Sequence, residues 1–160
     1  MSVSVTLRQT DARLAYLAIA YHLARPGSEL DPLTKQPVAH GLGEVAQALE
    51  PQLDRAVATI ELSEYQRERL VSAAAGAMNQ LKSQALLQEG GGGQTMVPAF
   101  DEALRRLFPA VAEDADEATQ LAGHLLALRR RLERLAAPAP DGETAPVRRP
   151  WWRFWERRGG

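Results

Sequence analysis

The sequence predicts an all-α protein, a four-to-five-helix bundle with a flexible C-terminal tail. Apolar residues recur three and four positions apart over most of the first 137 residues, prolines and glycines separate these stretches, and all three tryptophans lie among the last ten residues. The first two features are typical of helical bundles with short connections. We therefore divide the chain into a helical bundle domain (1–137), a proline-rich tether (138–150) and an aromatic-basic tail (151–160).

The N-terminal region predicts an extended lead-in followed by the first helix. Residues 2–7 alternate in polarity like a strand, but we find no second strand-like run with which they could pair. Thr10 or Asp11 can cap a helix that continues to about Arg25, because apolar residues recur at helical spacing up to that point. Residues 26–40 contain three prolines and a glycine and are expected to form a long loop, and loops of that length are often functional.

A second helical stretch is predicted from Leu42 onward. Apolar residues that would share one face of a helix recur three or four positions apart, at Val45, Leu49, Leu53, Val57 and Ile60. Pro51 falls in the middle of this stretch. Inside a helix, proline removes a backbone hydrogen bond and clashes with the preceding turn. We therefore expect either a kinked helix or two short helices that meet at Glu50 and Pro51.

The longest helix is predicted from Glu64 to about Gln88. Ser63 and Gln66 have the spacing of a capping box, in which each residue binds the other's backbone N–H. The run from Ala73 to Ala77 has very little side-chain bulk, so another helix can approach it closely. The buried face of this helix is expected to carry Leu70 or Val71, Ala74, Ala77 or Met78, Leu81 and Ala85.

Two further helices complete the predicted bundle. A short amphipathic helix is expected from Pro98 to Phe108, after a glycine-rich connection at 90–93. The last helix is expected from about Ala112 to Ala137, with acidic residues at its start and arginines at its end that complement the helix dipole. Its apolar stripe favours packing inside the bundle and leaves a homodimer as the alternative. The possible oligomer seam consists of Leu121, Leu125, Leu128, Leu132 and Leu135.

Residue types that usually carry catalysis or metal binding are sparse. The chain has no cysteine, which excludes disulfides, thiolate metal sites and a cysteine nucleophile. The three histidines lie far apart and outside the spacings of metal-binding helices, and the acidic residues at 113–117 lack the pattern of a calcium loop. We assign no catalytic residue, cofactor or metal, and we consider enzymatic activity uncertain and less expected than a binding role.

One alternative interpretation is a ligand-binding or enzymatic helical bundle. Its pocket is expected near the first helix and the loop at 26–40. His22 and Glu44 are the polar residues that we expect to converge there.

The C-terminal tail combines aromatic and basic residues at high density. Residues 148–158 contain five arginines and one glutamate, a net charge of +4, which leaves −5 on residues 1–147. If the tail became helical, its aromatic rings would cover an arc of about 160°, with charged residues opposite them. The candidate binding residues are Trp151, Trp152, Arg153, Phe154, Trp155, Arg157 and Arg158.

These features predict a non-enzymatic helical adaptor or scaffold that is localised by its tail. The tail is expected to attach to an anionic membrane surface, where tryptophan and arginine are favoured, or to a partner protein. Docking of the tail onto its own domain and nucleic-acid binding through the basic tail are further alternatives, the last being the least expected. The alanine and arginine bias suggests a bacterial protein, and we expect a cytoplasmic location, peripheral at the inner face of the membrane.

Overall fold

A computed structural model describes residues 1–89, 97–111 and 113–135 of the chain. The chain is mostly helical in these ranges, which confirms the predicted helical character. It also contains a small sheet, so the prediction of an all-α protein was wrong. The elements in chain order are β1 (Ser2–Arg8), α1 (Gln9–Leu23), α2 (Leu42–Leu49), a 3₁₀ turn (Glu50–Gln52), β2 (Val57–Ser63), α3 (Glu64–Glu89), α4 (Pro98–Leu107) and α5 (Ala115–Arg134).

The sheet pairs β1 with β2 in antiparallel register. Val5 lies opposite Ile60, and Leu7 lies opposite Ala58. These four side chains are buried against the helices, whereas the alternate positions of both strands are exposed. A two-stranded sheet is marginal on its own, so packing of its apolar face on the helices stabilises it.

Two sequence predictions failed at this sheet. Residues 2–7 belong to a paired strand and are not an unpaired lead-in. Residues 57–60 belong to β2 and do not continue the helix predicted from Leu42. The apolar pair Val57 and Ile60 is three positions apart, which fits a helix, but burial alternates along β2 from Ala58 to Leu62 as in a strand. Pro51 lies in the 3₁₀ turn that ends α2, so the predicted proline disruption is present and is followed by a strand.

The N-cap of the first helix lies two or three residues before the predicted caps. The helix starts at Gln9 directly after β1, with Arg8 at the N-cap and no side-chain cap, so Thr10 and Asp11 lie inside the helix. The helix ends at Leu23, close to the predicted end. Arg8 is the last paired residue of β1, so strand pairing sets the point at which α1 begins. No polar side chain caps the helix there.

The capping box at the start of α3 is confirmed. Ser63 N–H donates to Gln66 Oε1 at 2.9 Å, and Gln66 N–H donates to Ser63 Oγ at 3.1 Å. Gln66 Nε2 also donates to the carbonyl oxygen of Gly41 at 3.3 Å, so the same residue links α3 to the start of α2. The predicted inner face is confirmed as well, since Leu70, Ala74, Ala77, Leu81 and Ala85 are buried.

The small-residue run in α3 lets α1 approach closely. A Cβ atom placed on Gly76 would overlap the ring of Tyr21. That ring packs edge-on against Phe100 of α4, with ring centroids 6.0 Å apart. The absence of a side chain at Gly76 therefore lets three helices meet at one point.

Candidate functional site

A surface cleft of about 380 Å³ lies between α1, α2 and α4. That volume falls within the range of pockets that bind small ligands. Five of its lining residues are alanines, and their small side chains leave the space open. The lining consists of Tyr16, Ile19, Ala20, Leu23, Ala24, Ala46, Ala99, Glu102, Ala103 and Arg106.

Helical spacing on α1 and α4 produces this apolar floor. Ala20 lies in the last turn of α1, and Ala24 follows four residues later as the C-cap of that helix. Ala99 and Ala103 lie four residues apart on α4, so each pair occupies one helix face. Leu23 at the same site is 41% exposed. The cleft therefore presents apolar surface that the described residues leave open to solvent.

A polar group closes one end of the cleft. Arg106 Nη1 and Nη2 donate to the two carboxylate oxygens of Glu50 at 3.0 and 3.3 Å, and the guanidinium lies 5.2 Å from the centre of the Tyr16 ring. Partial burial and the nearby Glu50 carboxylate raise the pKa of Tyr16 above its ordinary value. Hydrogen bonding from Tyr16 and Arg106 lowers the pKa of Glu50. At neutral pH this end holds a neutral phenol beside a paired carboxylate and guanidinium.

A second polar cluster, at His22, ties α1 to the loop and to α2. His22 is buried, and its Nε2 lies 3.1 Å from Glu29 Oε1, although Nε2 has no hydrogen-bond partner of acceptable geometry in the described chain. The same Glu29 oxygen accepts the N–H of Leu42 at 3.1 Å, at the positive end of the α2 dipole. Burial lowers the pKa of His22, opposed by the Glu29 charge and reinforced by Arg69 and Arg25.

The structure does not bring His22 and Glu44 together as predicted. His22 lies beside Glu29, whereas Glu44 lies beside His40, with 3.1 Å between its Oε2 and His40 Nδ1. None of the residues that line the α1/α2/α4 cleft belongs to the loop at 26–40. A cleft therefore exists at the first helix, but α2 and α4 form its other walls in place of the loop, and it does not contain the predicted polar pair.

Several residues of this region were missed by sequence reasoning. The sequence patterns assign no role to Glu29 or Arg106. Core packing is the expectation for Tyr16, and its ring does pack against the core, but it also lines the cleft. The available signal was the repeat of alanine four residues apart on two different helices, which indicates a face without bulky side chains. Alanine is also the best helix former, so the same repeat is expected in any stable helix and could not be distinguished as a cleft.

No group of three or more metal-ligating side chains occurs within residues 1–89, 97–111 and 113–135. In those same ranges, no helix combines the length and apolarity needed to cross a membrane. The candidate tail residues Trp151 to Arg158 lie outside the described part of the chain. The tether at 138–150 and the glycine-rich connection at 90–93 lie outside it too.

The leucine seam of α5 packs within the single chain. Leu121, Leu125, Leu128 and Leu132 are buried in the core, and Leu135 is 39% exposed. Asp114 caps the helix by accepting the N–H of Asp116 at 2.8 Å. Most of the possible oligomer seam is therefore already covered by the bundle.

Comparisons with protein-family models, with curated proteins and with solved structures returned no match. The described residues of the chain form a mostly helical protein with a small two-stranded sheet and an apolar cleft.

Proposed function

We propose that this protein is a non-enzymatic helical adaptor that attaches to an anionic membrane surface through its aromatic-basic tail. The observation that carries the proposal is that all three tryptophans lie within five residues, in a segment of net charge +4. That segment is residues 148–158, the tail together with the last residues of the tether. The remainder of the chain carries −5, so attraction to an anionic surface is concentrated at this end.

The magnitudes support reversible attachment. Four large aromatic side chains represent roughly 600–1,000 Å² of surface. At about 25 cal/mol per Å², complete burial has a ceiling of about 15–25 kcal/mol, most of which is offset by partial immersion and by ordering of a short segment. Each arginine near an anionic surface adds about 1 kcal/mol. Tryptophan favours the membrane interface because its ring is apolar and its N–H is polar.

A vesicle-binding experiment tests the proposal. Full-length protein is expected to sediment with vesicles of phosphatidylcholine and phosphatidylserine, and less with phosphatidylcholine alone. The tryptophan emission should shift to the blue on binding, because every tryptophan is in the tail. Deletion of residues 150–160 should abolish sedimentation with the anionic vesicles.

Two tail variants separate the contributions of charge and of aromatic surface. Replacing Arg153, Arg157 and Arg158 with glutamine should remove the preference for anionic lipid. Replacing the four aromatic residues of 151–155 with alanine should remove most binding while the charge remains. The matched control is R130Q/R134Q, which removes two exposed arginines of α5. Equal sedimentation of the full-length and truncated proteins would exclude membrane attachment through the tail.

A further inference from the structure

We infer that the α1/α2/α4 cleft is the docking site for the aromatic-basic tail of the same chain when no membrane is present. Two observations suggest this docking. The cleft is lined largely by alanines, and all the tryptophans of the protein lie in one terminal segment. The inference is independent of membrane attachment, because it concerns the tail in free solution.

The recess has room for the bulky side chains that the tail sequence contains. Ala20, Ala24, Ala46, Ala99 and Ala103 leave a recess between three helices, and the tail offers bulky rings to fill it. Aromatic side chains in such recesses are the residues that most often dominate binding energy. The described core already holds its own aromatic residue, Phe100, fully buried, so the recess is additional to a completed core.

The charges at the rim also match the tail. Glu102 is an exposed carboxylate at the cleft, and it lies where an arginine of the tail could pair with it. Arg106 is already paired with Glu50, so its positive charge is largely compensated, and its guanidinium plane can stack on an indole ring. Both rim groups therefore suit a ligand that contains tryptophan and arginine close together.

The connecting segment gives the tail a long reach over the domain. Leu135 is the last described residue, and Trp151 follows sixteen residues later. A proline-rich segment of that length spans up to about 50 Å at 3.1 Å per residue. A domain of about 135 residues has a radius of gyration of about 14 Å and is thus about 35–40 Å across. A segment of about 50 Å can follow the surface of such a domain over all but its far side, so most of that surface is within reach of the tail.

Tryptophan fluorescence of the full chain, without lipid, tests the inference. The emission should be blue-shifted and protected from acrylamide relative to the chain in guanidinium chloride. A99F fills the cleft from an exposed position and should shift the emission to the red and increase quenching. A127F places the same side chain at an exposed position of α5 and should change neither. In the same way, E102K should release the tail and E113K should not.

Disulfide trapping gives a second readout that does not depend on a bulky substitution. Because the chain has no cysteine, the pair A99C/G159C should form an intramolecular disulfide faster than A127C/G159C. Circular dichroism establishes that each variant is folded. Emission already at the position of the denatured chain, equal effects of A99F and A127F, or equal trapping of the two cysteine pairs would each overturn the inference. None of these measurements contains a membrane, so their failure would leave vesicle binding by the tail a separate question.

Discussion

Gln52 binds the backbone of Thr59 with both ends of its side-chain amide. The N–H of Thr59 donates to Gln52 Oε1 at 2.9 Å, and Gln52 Nε2 donates to the carbonyl oxygen of Thr59 at 3.1 Å. Thr6, the register partner of Thr59 on β1, has its own carbonyl oxygen bound by Arg131 Nη2 at 2.7 Å. Side chains therefore occupy both outer edges of the two-stranded sheet at the same level, where unpaired strand edges would otherwise recruit other chains.

Removing the Gln52 amide should weaken the sheet. We expect Gln52→Ala to lower the free energy of unfolding by about 1–2 kcal/mol, because it removes the two bonds to Thr59 and a third, at 2.8 Å, to the carbonyl oxygen of Ala48. Urea denaturation measures the change. Gln47→Ala, at an exposed position of α2, is the matched control and should have little effect. If the two variants unfold at the same urea concentration, the Gln52 amide does not stabilise the sheet.

The helices could be predicted from local patterns, whereas the sheet could not. The capping box of α3 and the apolar stripe of α5 are each contained in a few turns of sequence, so periodicity and capping suffice to find them. Strands β1 and β2 are separated by almost 50 residues, and their pairing is a long-range contact that no local pattern shows. Val57 and Ile60 also fit a helical period, so the strand was interpreted as a continuation of α2.

The site was less predictable than the fold for a similar reason. Three helices that are distant in sequence contribute the cleft, and Glu50 pairs with Arg106 across 56 residues. His22 lies beside Glu29, which belongs to a loop whose path no local pattern predicts. Asp31 organises part of that loop by accepting the N–H groups of Leu33 and Thr34 at 2.8 and 2.7 Å. Only the concentration of aromatic residues in the tail was visible directly.

Gly76 should not tolerate alanine. In most helix interiors Gly→Ala stabilises a protein by about 0.5–1 kcal/mol. At Gly76 the added methyl group would overlap the Tyr21 ring, which Phe100 holds in place, so we expect Gly76→Ala to destabilise the protein by about 1–3 kcal/mol.

Gly123 provides the matched control for Gly76. It lies in α5, and a Cβ atom there would have no neighbour within 4 Å in the described chain. Gly123→Ala should therefore stabilise the protein. Thermal or urea unfolding of both variants measures the difference, and a gain in stability from Gly76→Ala would show that α1 and α3 are not in close contact at Tyr21.

The buried histidine should make stability depend on pH. Burial lowers the pKa of His22 in the folded chain below the ordinary value of 6.5 that it has in the unfolded chain. At a pH between the folded and the unfolded pKa, the unfolded chain therefore binds a proton more readily than the folded chain. The stabilisation is fully present above pH 6.5 and is lost as the pH falls through 6.5 toward the lowered pKa. Wild type should therefore be less stable at pH 5.5 than at pH 7.5.

Comparison of variants isolates the contribution of His22 from other titrating groups. His22→Gln should reduce the difference in unfolding free energy between pH 7.5 and pH 5.5. His124→Gln, at an exposed position of α5, should leave that difference unchanged. Urea denaturation at the two pH values measures it, and an equal pH dependence in wild type and His22→Gln would exclude His22 as its source.

The leucines of α5 should stabilise the fold of a single chain and should not form a dimer interface. Leu128 is 2% exposed, so Leu128→Ala should cost about 2–5 kcal/mol through lost contacts and a residual cavity. Leu135 is 39% exposed, and Leu135→Ala should cost less than 1 kcal/mol. Because one chain already buries most of the stripe, the unfolding midpoint of wild type should not vary with protein concentration. A midpoint that rises with concentration, and that loses this dependence in Leu135→Ala, would instead assign the stripe to a homodimer seam.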